Sequence, residues 1–184
     1  MGFAPHPERS HASYAAVTLS HQQEALAAHI SKKYRQPQHI VNRIVSAAYK
    51  ESSRQGLSPF LILAIIEKES GFRPEIVNFY GAVGLMQVVP RFHHDKLKAP
   101  KSQALLALKN PEVNVAVGVR ILKEYLAQKE GNLEAALIKY SGNARQYTKN
   151  VTRYELALRA VSDSAKAAWA EFGTVKISLK KPLQ

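Results

Sequence analysis

Residues 58–70 read SPFLILAIIEKES, and this stretch decides the fold. Ser58 suits the N-cap of a helix and Pro59 its first position, and apolar residues then follow without a break from Phe60 to Ile66. A helix that lacks a polar face must be surrounded by other parts of the protein. The stretch therefore predicts a short central helix over Pro59–Ser70 inside a domain built from further helices.

Apolar spacing, caps and breakers predict the remaining elements. We expect helices over Gln22–Tyr34, His39–Ser53, Pro59–Ser70, Pro111–Lys129, Leu133–Tyr140 and Thr152–Phe172, with short helical turns at Arg91–Leu97 and Ser102–Leu108. Asn132 is placed to cap the helix that starts at Leu133. The one run with strand-like alternation is TVKISL, residues 174–179. The sequence thus predicts a nearly all-α fold without internal repeats.

Length and composition fit one domain. A chain of 184 residues with 46% hydrophobic residues can bury a proper core. We expect a flexible N-terminal extension over residues 1–20, the domain itself over 21–172, and a tail over 173–184. Trp169 is expected to serve packing within the last helix rather than to act as a sugar platform.

Two carboxyl groups, Glu67 and Glu69, close the central helix. Residues two apart on a helix differ by about 200° in direction, so the two groups cannot form a facing pair. We expect one of them to be solvated. Burial and the negative end of the helix dipole would both raise the pKa of the other. A carboxyl group that stays protonated near neutral pH suits general-acid cleavage of a glycosidic bond. The alternative is that both glutamates are ordinary polar residues at a helix end without a catalytic role.

The segment that follows the helix is a loop folded back on itself. Gly71, Pro74, Gly81 and Gly84 interrupt it so often that its backbone must approach something that a Cβ would obstruct. Its hydroxyl and amide groups suit sugar hydroxyls and N-acetyl groups, and its apolar side chains suit the walls of a pocket. The polar residues are Ser70, Asn78, Tyr80 and Gln87, and the apolar ones are Phe72, Phe79 and Met86.

The order ES, GF.P, GAVGLMQ and P, from Glu69 to Pro90, resembles the catalytic signature of the soluble lytic transglycosylases, lysozyme-like enzymes that cut peptidoglycan. The resemblance covers about Ile40 to Val151. It implies a lysozyme-like fold of the goose-type-lysozyme kind. It also implies that Glu69, the glutamate directly followed by serine, is the catalytic acid, whereas Glu67 occupies a position that the family fills variably.

The resemblance extends to substrate-binding positions in the loop. Gly84, Met86 and Gln87 belong to GLMQ, the family's second motif, whose glutamine and neighbouring backbone line the saccharide groove. Ser70 follows the acid. Asn78 stands where the family usually has serine, and it keeps the capacity to bind an N-acetyl or lactyl group.

A third motif of the family, alanine-tyrosine-asparagine-alanine-glycine, corresponds to IKYSGN, Ile138 to Asn143. Tyr140 is retained, and the resemblance implies that it contacts substrate. Lys139, Ser141 and Gly142 replace the usual alanine, asparagine and alanine around the tyrosine. The departure bears on contacts with the glycan and leaves the acid untouched.

The mechanism implied by the resemblance needs one carboxyl group, whereas ordinary glycosidases use two that face each other across the bond. Aspartates are scarce, Asp95 and Asp163 being the only two. By the resemblance, Glu69 protonates the oxygen between N-acetylmuramic acid and N-acetylglucosamine and then acts as base on the C6 hydroxyl, which gives 1,6-anhydro ends. Two alternatives remain open: a goose-type lysozyme that hydrolyses the same bond, and an inactive wall-binding or scaffold protein.

Charge favours polyanionic partners. Lys and Arg number 26 against 14 for Asp and Glu, a net charge of +12. The basic residues are spread over the chain without a nucleic-acid motif, so nucleic acid is not an expected partner. Peptidoglycan glycan strands are expected, with a cell-envelope or secretion complex as a further partner.

Neither a metal nor a cofactor is expected. The chain has no cysteine, and His93, His94 and Asp95 are contiguous residues that diverge too much to bind one ion together. Residues 1–20 lack the apolar core of a signal peptide, and no stretch is long enough to span a membrane. Because the implied substrate lies outside the cytoplasm, we expect the periplasm or cell envelope as the location.

Overall fold

A computed structural model describes residues 18–144 and 146–178, the side chains of 172–178 excepted. Eight α-helices lie in these residues, with two 3₁₀ turns at His94–Lys96 and Lys101–Gln103. The helices are α1 (His21–Tyr34), α2 (Gln38–Gln55), α3 (Pro59–Ser70), α4 (Pro90–His93), α5 (Ala104–Lys109), α6 (Pro111–Gln128), α7 (Leu133–Tyr140) and α8 (Tyr147–Ser178). The only β structure in the described ranges is a pair of isolated bridges, Val77 with Val83 and Val83 with Val88. The predicted all-α fold is confirmed.

The central helix α3 begins and ends as its sequence dictates. The Ser58 hydroxyl accepts a hydrogen bond from the Leu61 N–H, and Pro59 occupies the first turn. At the other end Gly71 takes the left-handed conformation, φ 57°, and its N–H donates to the carbonyl of Glu67. Asn132 caps α7 in the same way as Ser58 caps α3, by accepting from the N–H of Ala135.

Helix α3 lies in the middle of the domain. Its residues from Leu61 to Glu67 are all buried, and it packs against α8 and α2. Each fully buried leucine or isoleucine of such a helix contributes about 1.5–3 kcal/mol. The apolar run therefore has the surroundings that a helix without a polar face requires.

The other helices enclose α3 from several directions. Helix α1 packs against α2 and α8, and α6 packs against α2, α5 and α7. Leu26 and Ile30 of α1 share one hydrophobic core with Val151 and Leu158 of α8. The loop over residues 71–89 connects the end of α3 to α4. The end of α3 and this loop are thus held by the surrounding helices.

Two predictions about the C-terminal part were wrong. Helix α8 begins at Tyr147 rather than Thr152, and it continues through Ser178 rather than ending at Phe172, so the strand-like alternation over residues 174–178 lies in a helix. Extending an existing helix adds a hydrogen bond for each residue fixed, whereas a new strand would need a partner strand. Residue 179 itself lies outside the described residues.

Helix α1 begins close to the first residue that the structure describes. Ser20, the last residue of the predicted extension, caps α1 through a capping box with Gln23. Residues 1–17 lie outside the described part.

Trp169 is 56% exposed, and its ring stacks on that of His21 with 3.7 Å between centroids. None of the helices within the described ranges combines the length and apolar composition needed to cross a bilayer.

Candidate active site

Glu69 occupies the last turn of α3, where its side chain points toward α8. Its Oε1 accepts a hydrogen bond of 2.5 Å from the Tyr147 hydroxyl. Burial raises the pKa of Glu69, while the bond from Tyr147 and the charge of Lys68 act in the opposite direction without cancelling it. The direction predicted from the sequence for this pKa is confirmed.

Tyr147 is the functional candidate that sequence reasoning missed. It lies in the first turn of α8 and is 4% exposed. Burial in the first place, and then the negative charge of Glu69, hold the pKa of Tyr147 far above its ordinary value, so its hydroxyl remains a donor. The sequence carried only a weak signal for Tyr147. A short polar turn follows α7, so the next helix starts near the end of α7, and Tyr147 is at that start. Because that helix was predicted to start at Thr152, Tyr147 was left outside it.

The expectation that one of the two carboxyl groups is solvated was wrong for Glu67. Its side chain is only 2% exposed and forms an ion pair with Lys33 of α1, with 3.1 Å between Nζ and Oε1. The two glutamates do point in different directions, as predicted, since Glu67 faces α1 and Glu69 faces α8. Glu67 is buried, whereas Glu69 remains partly exposed.

The loop after α3 is held by its own hydrogen bonds. The N–H of Gly84 donates to the Ile76 carbonyl at 2.8 Å. The Asn78 side-chain carbonyl accepts from the N–H groups of Tyr80 and Ala82, at 2.9 and 3.0 Å. Phe79 lies at the tip of this turn and is 98% exposed. Asn78, predicted to bind substrate, thus shapes the turn with its side-chain oxygen.

Helix α6 fastens the loop through a buried asparagine. Asn114 is fully buried; its Oδ1 accepts from the Met86 N–H at 2.8 Å, and its Nδ2 donates to the carbonyls of Val83 and Leu108 at 2.9 and 2.8 Å. A Cβ on Gly84, whose φ is +74°, would lie 2.3 Å from Asn114 Nδ2. The sequence predicted that the backbone here approaches something closely, and the structure shows that α6 is the neighbour.

Gln87 and Tyr140 meet on the far side of the loop. The Tyr140 hydroxyl donates to the Met86 carbonyl at 2.9 Å, and Gln87 Nε2 donates to the Gly84 carbonyl at 2.9 Å. Both residues line a cavity of about 180 Å³. Burial, followed by the charge of Glu69, raises the pKa of Tyr140 well above its ordinary value. The predicted groove residues Gln87 and Tyr140 therefore lie at the same cavity. The charge of Glu69 also affects the pKa of Tyr140.

Two further predicted substrate-binding residues have packing roles in the structure. Ser70 is 1% exposed, and its hydroxyl donates to the Ile66 carbonyl at 3.1 Å. Met86 is fully buried against α6, where a Cβ on Gly118 would lie 2.5 Å from the Met86 sulfur. Neither side chain is open to a ligand in this arrangement, and a substrate contact by either residue stays a prediction.

The site as a whole offers one partly buried acid. Of the carboxyl groups in the described ranges, none other contributes to the pKa of Glu69. The nearest in sequence, Glu67, is turned away and neutralised by Lys33. Such a site can donate a proton to a leaving oxygen and take one back, which is single-acid chemistry.

A mainly helical domain that presents one partly buried carboxyl at the end of its central helix has the lysozyme-like architecture. Residues 46–161 match the family model described as the transglycosylase SLT domain, which is more than half of the chain. The chain belongs to this family. The resemblance noted in the sequence is thereby confirmed.

Curated relatives match over shorter stretches. The chain is 42% identical over 66 residues to membrane-bound lytic murein transglycosylase C of Actinobacillus pleuropneumoniae serotype 5b (strain L20), which covers 36% of the chain and 16% of that relative. It is 39% identical over 77 residues to endo-type membrane-bound lytic murein transglycosylase A of Klebsiella pneumoniae (strain 342), covering 40% and 38%. The transglycosylase of Enterobacteria phage PRD1 is 30% identical over 95 residues, covering 52% and 33%. The chain thus spans between 16% and 38% of the lengths of these relatives.

Proposed function

We propose that the chain is a peptidoglycan lytic transglycosylase with Glu69 as its one catalytic acid. Glu69 protonates the bridging oxygen between N-acetylmuramic acid and N-acetylglucosamine, and the bond between that oxygen and the muramoyl C1 breaks. The carboxylate then takes the proton from the muramoyl C6 hydroxyl while the oxygen of that hydroxyl attacks C1. The products are a 1,6-anhydro end and a free N-acetylglucosamine hydroxyl, and no water is consumed.

The observation that carries the proposal is the environment of Glu69. Burial raises its pKa, which favours the protonated state that a general acid needs, and Tyr147 orients the carboxyl group. With Glu67 turned toward Lys33, no carboxylate among the described residues is known to face Glu69 and support a two-carboxylate mechanism. Gln87 and Tyr140 then contribute to binding the glycan, with Asn78, Gly84, Ser70 and Met86 shaping the groove.

The names of the relatives and the charge of the chain suggest where the enzyme acts. Two relatives are named as membrane-bound lytic murein transglycosylases. With a net charge of +12, the chain would be attracted to an anionic wall or envelope. We therefore propose action on peptidoglycan in the periplasm or cell envelope, in wall remodelling or alongside an envelope complex.

The test is digestion of purified peptidoglycan followed by mass spectrometry of the released muropeptides. We expect anhydro products from the wild type and a loss of about 100-fold or more for Glu69→Gln. Glu67→Gln is the matched control, since it neutralises a carboxyl on the same helix that faces away from the site, and it should keep the anhydro products. Reducing ends in place of anhydro ends would indicate hydrolysis, and no release by the wild type would leave a wall-binding protein.

A further inference from the structure

The cavity beside Gln87 and Tyr140 has a chemical character that the acid chemistry does not use. It lies between α4, α6 and α7 and measures about 180 Å³. Phe92 and Tyr125 give it aromatic walls, and Lys139 supplies a cation. An apolar space with a few polar groups next to a reactive centre is typical of a subsite for part of a substrate.

Lys139 is held at the cavity by uncharged neighbours. Its Nζ donates a hydrogen bond to Gln128 Oε1 and lies 4.8 Å from the centre of the Tyr125 ring. Within the described part of the chain, no carboxylate lies within ion-pair distance of this ammonium group. Neither neighbour neutralises the ammonium, so an anion arriving at the cavity would meet a positioned and uncompensated charge.

His93 adds a hydrogen-bonding group to the same cavity. Its Nδ1 is buried and has no hydrogen-bond partner. Burial, and then the charge of Lys96, lowers the pKa of His93, so the imidazole is neutral at physiological pH. Lys96 itself is paired with Asp95 and Glu124. The uncompensated charge at the cavity therefore comes from Lys139, while His93 offers an unused polar atom.

We propose that this cavity binds a carboxylate of the substrate's peptide stem, with Lys139 as the specificity-determining residue. The inference rests on the proposed function, because the proposed glycan carries such stems. Along the strand the sugars are uncharged, and the lactyl carboxyl of each muramoyl unit is consumed in the amide bond to its stem. The free carboxylates of peptidoglycan lie on the stems, and they are the groups that an ammonium beside the groove can recognise. Lys139 would thus favour regions whose stems carry free carboxylates over regions whose stem carboxyl groups are amidated.

The experiment measures binding to insoluble peptidoglycan by co-sedimentation at physiological ionic strength. All proteins carry Glu69→Gln, so that the wall is not digested. One wall sample is native, and in the other the carboxyl groups are converted to amides with carbodiimide and ammonia. Lys139→Ala is compared with Lys166→Ala, which removes the same charge from an exposed position on α8 away from the cavity, and with Lys139→Arg, which keeps the charge.

We expect Lys139→Ala to weaken the apparent affinity for native wall about fivefold, as expected for loss of a charge-assisted contact. Lys166→Ala should change it less than twofold, and Lys139→Arg should restore most of the binding. On amidated wall, Lys139→Ala and its parent should bind equally.

Three results would overturn the proposal: equal losses for Lys139→Ala and Lys166→Ala, a loss for Lys139→Ala that persists on amidated wall, or no binding by the parent. Because binding needs no turnover, absence of anhydro products from the wild type would defeat the proposed catalysis without deciding this test.

Discussion

At the scale of single residues, the two glutamates of α3 show how position decides chemistry. Glu67 meets the ammonium of Lys33, and Glu69 meets the phenol of Tyr147. An ion pair stabilises the charged carboxylate directly, whereas a neutral phenol offers one hydrogen bond against the cost of burial. Burial therefore prevails at Glu69, and its pKa is raised.

Tyr147→Phe should change the pH dependence of the reaction. The hydroxyl of Tyr147 lowers the pKa of Glu69 by stabilising the carboxylate, so its removal raises that pKa further. A general acid acts when protonated, and activity falls as pH rises through its pKa. We expect the alkaline limb of kcat/KM to move to higher pH, and the maximum to fall about tenfold because the carboxyl loses a charge-assisted hydrogen bond. The measurement is a pH profile of muropeptide release.

Tyr49→Phe is the control for this substitution. Tyr49 lies on α2, packs against the core and makes an edge contact with Phe60. Its loss of a hydroxyl should leave the limb in place. If the alkaline limb of Tyr147→Phe is unchanged or moves to lower pH, the hydroxyl of Tyr147 does not lower the pKa of Glu69.

At the scale of elements, α6 shapes the loop that carries Gln87. Asn114 binds three backbone groups, from Val83, Met86 and Leu108. One turn further along, Gly118 leaves room for the Met86 side chain. The sequence predicted a helix over Pro111–Lys129, and the structure has it over Pro111–Gln128. The contacts with the loop were not predicted, because a buried asparagine on a helix does not disclose which distant backbone it will bind.

Asn114→Leu should destabilise the protein and disturb the site together. The substitution leaves buried N–H and C=O groups of the loop and of Leu108 without partners, and each such group costs about 1–3 kcal/mol. We expect the free energy of unfolding to fall by about 3 kcal/mol, measured by urea denaturation, and activity to fall at temperatures where the variant remains folded.

Asn110→Ala separates helix stability from loop placement. Asn110 caps the same helix by accepting from the Val113 N–H, and within the described residues its side chain forms no hydrogen bond to the loop. Losing a cap costs about 1 kcal/mol, and activity of the folded variant should persist. Equal stability and equal activity of the two variants would argue against a role of Asn114 in holding the loop.

At the scale of the whole molecule, the domain extends beyond the residues that match the family. The match begins at residue 46, yet α1 packs against α2 and α8. Lys33 of α1 also provides the ion pair to Glu67. We therefore infer that α1 folds with the rest as one unit, and the predicted domain boundaries at residues 21 and 172 stay a prediction.

Leu26→Ala tests this unity. Leu26 is fully buried in the shared core, so its truncation should lower the free energy of unfolding by about 2–5 kcal/mol. If α1 belongs to the unit, circular dichroism and tryptophan fluorescence should report one common transition at the lower stability. His29→Ala, at an exposed position of the same helix, should stay within about 0.5 kcal/mol of the wild type. Two separate transitions, or an unchanged midpoint for Leu26→Ala, would show that α1 is an appendage.

The sequence by itself determined most of the helices, and it pointed to Glu69 as the candidate acid. Helix α3 follows from local signals, namely the Ser58 cap, the apolar run and the left-handed Gly71, and these act between near neighbours in the chain. The motif around Glu69 led to the family in the same way. These features could be predicted because local patterns specify them.

Only the tertiary structure decided what each side chain meets. Tyr147 lies 78 residues from Glu69, Lys33 lies 34 residues from Glu67, and Asn114 lies 28 residues from Met86. Such pairs form because packed helices bring distant residues within hydrogen-bond distance, and the rotation of each helix about its axis selects the partners. That rotation is set by the packing of the whole core. For this reason no single stretch of sequence predicts that Tyr147 contacts Glu69 or that Lys139 lies at the cavity.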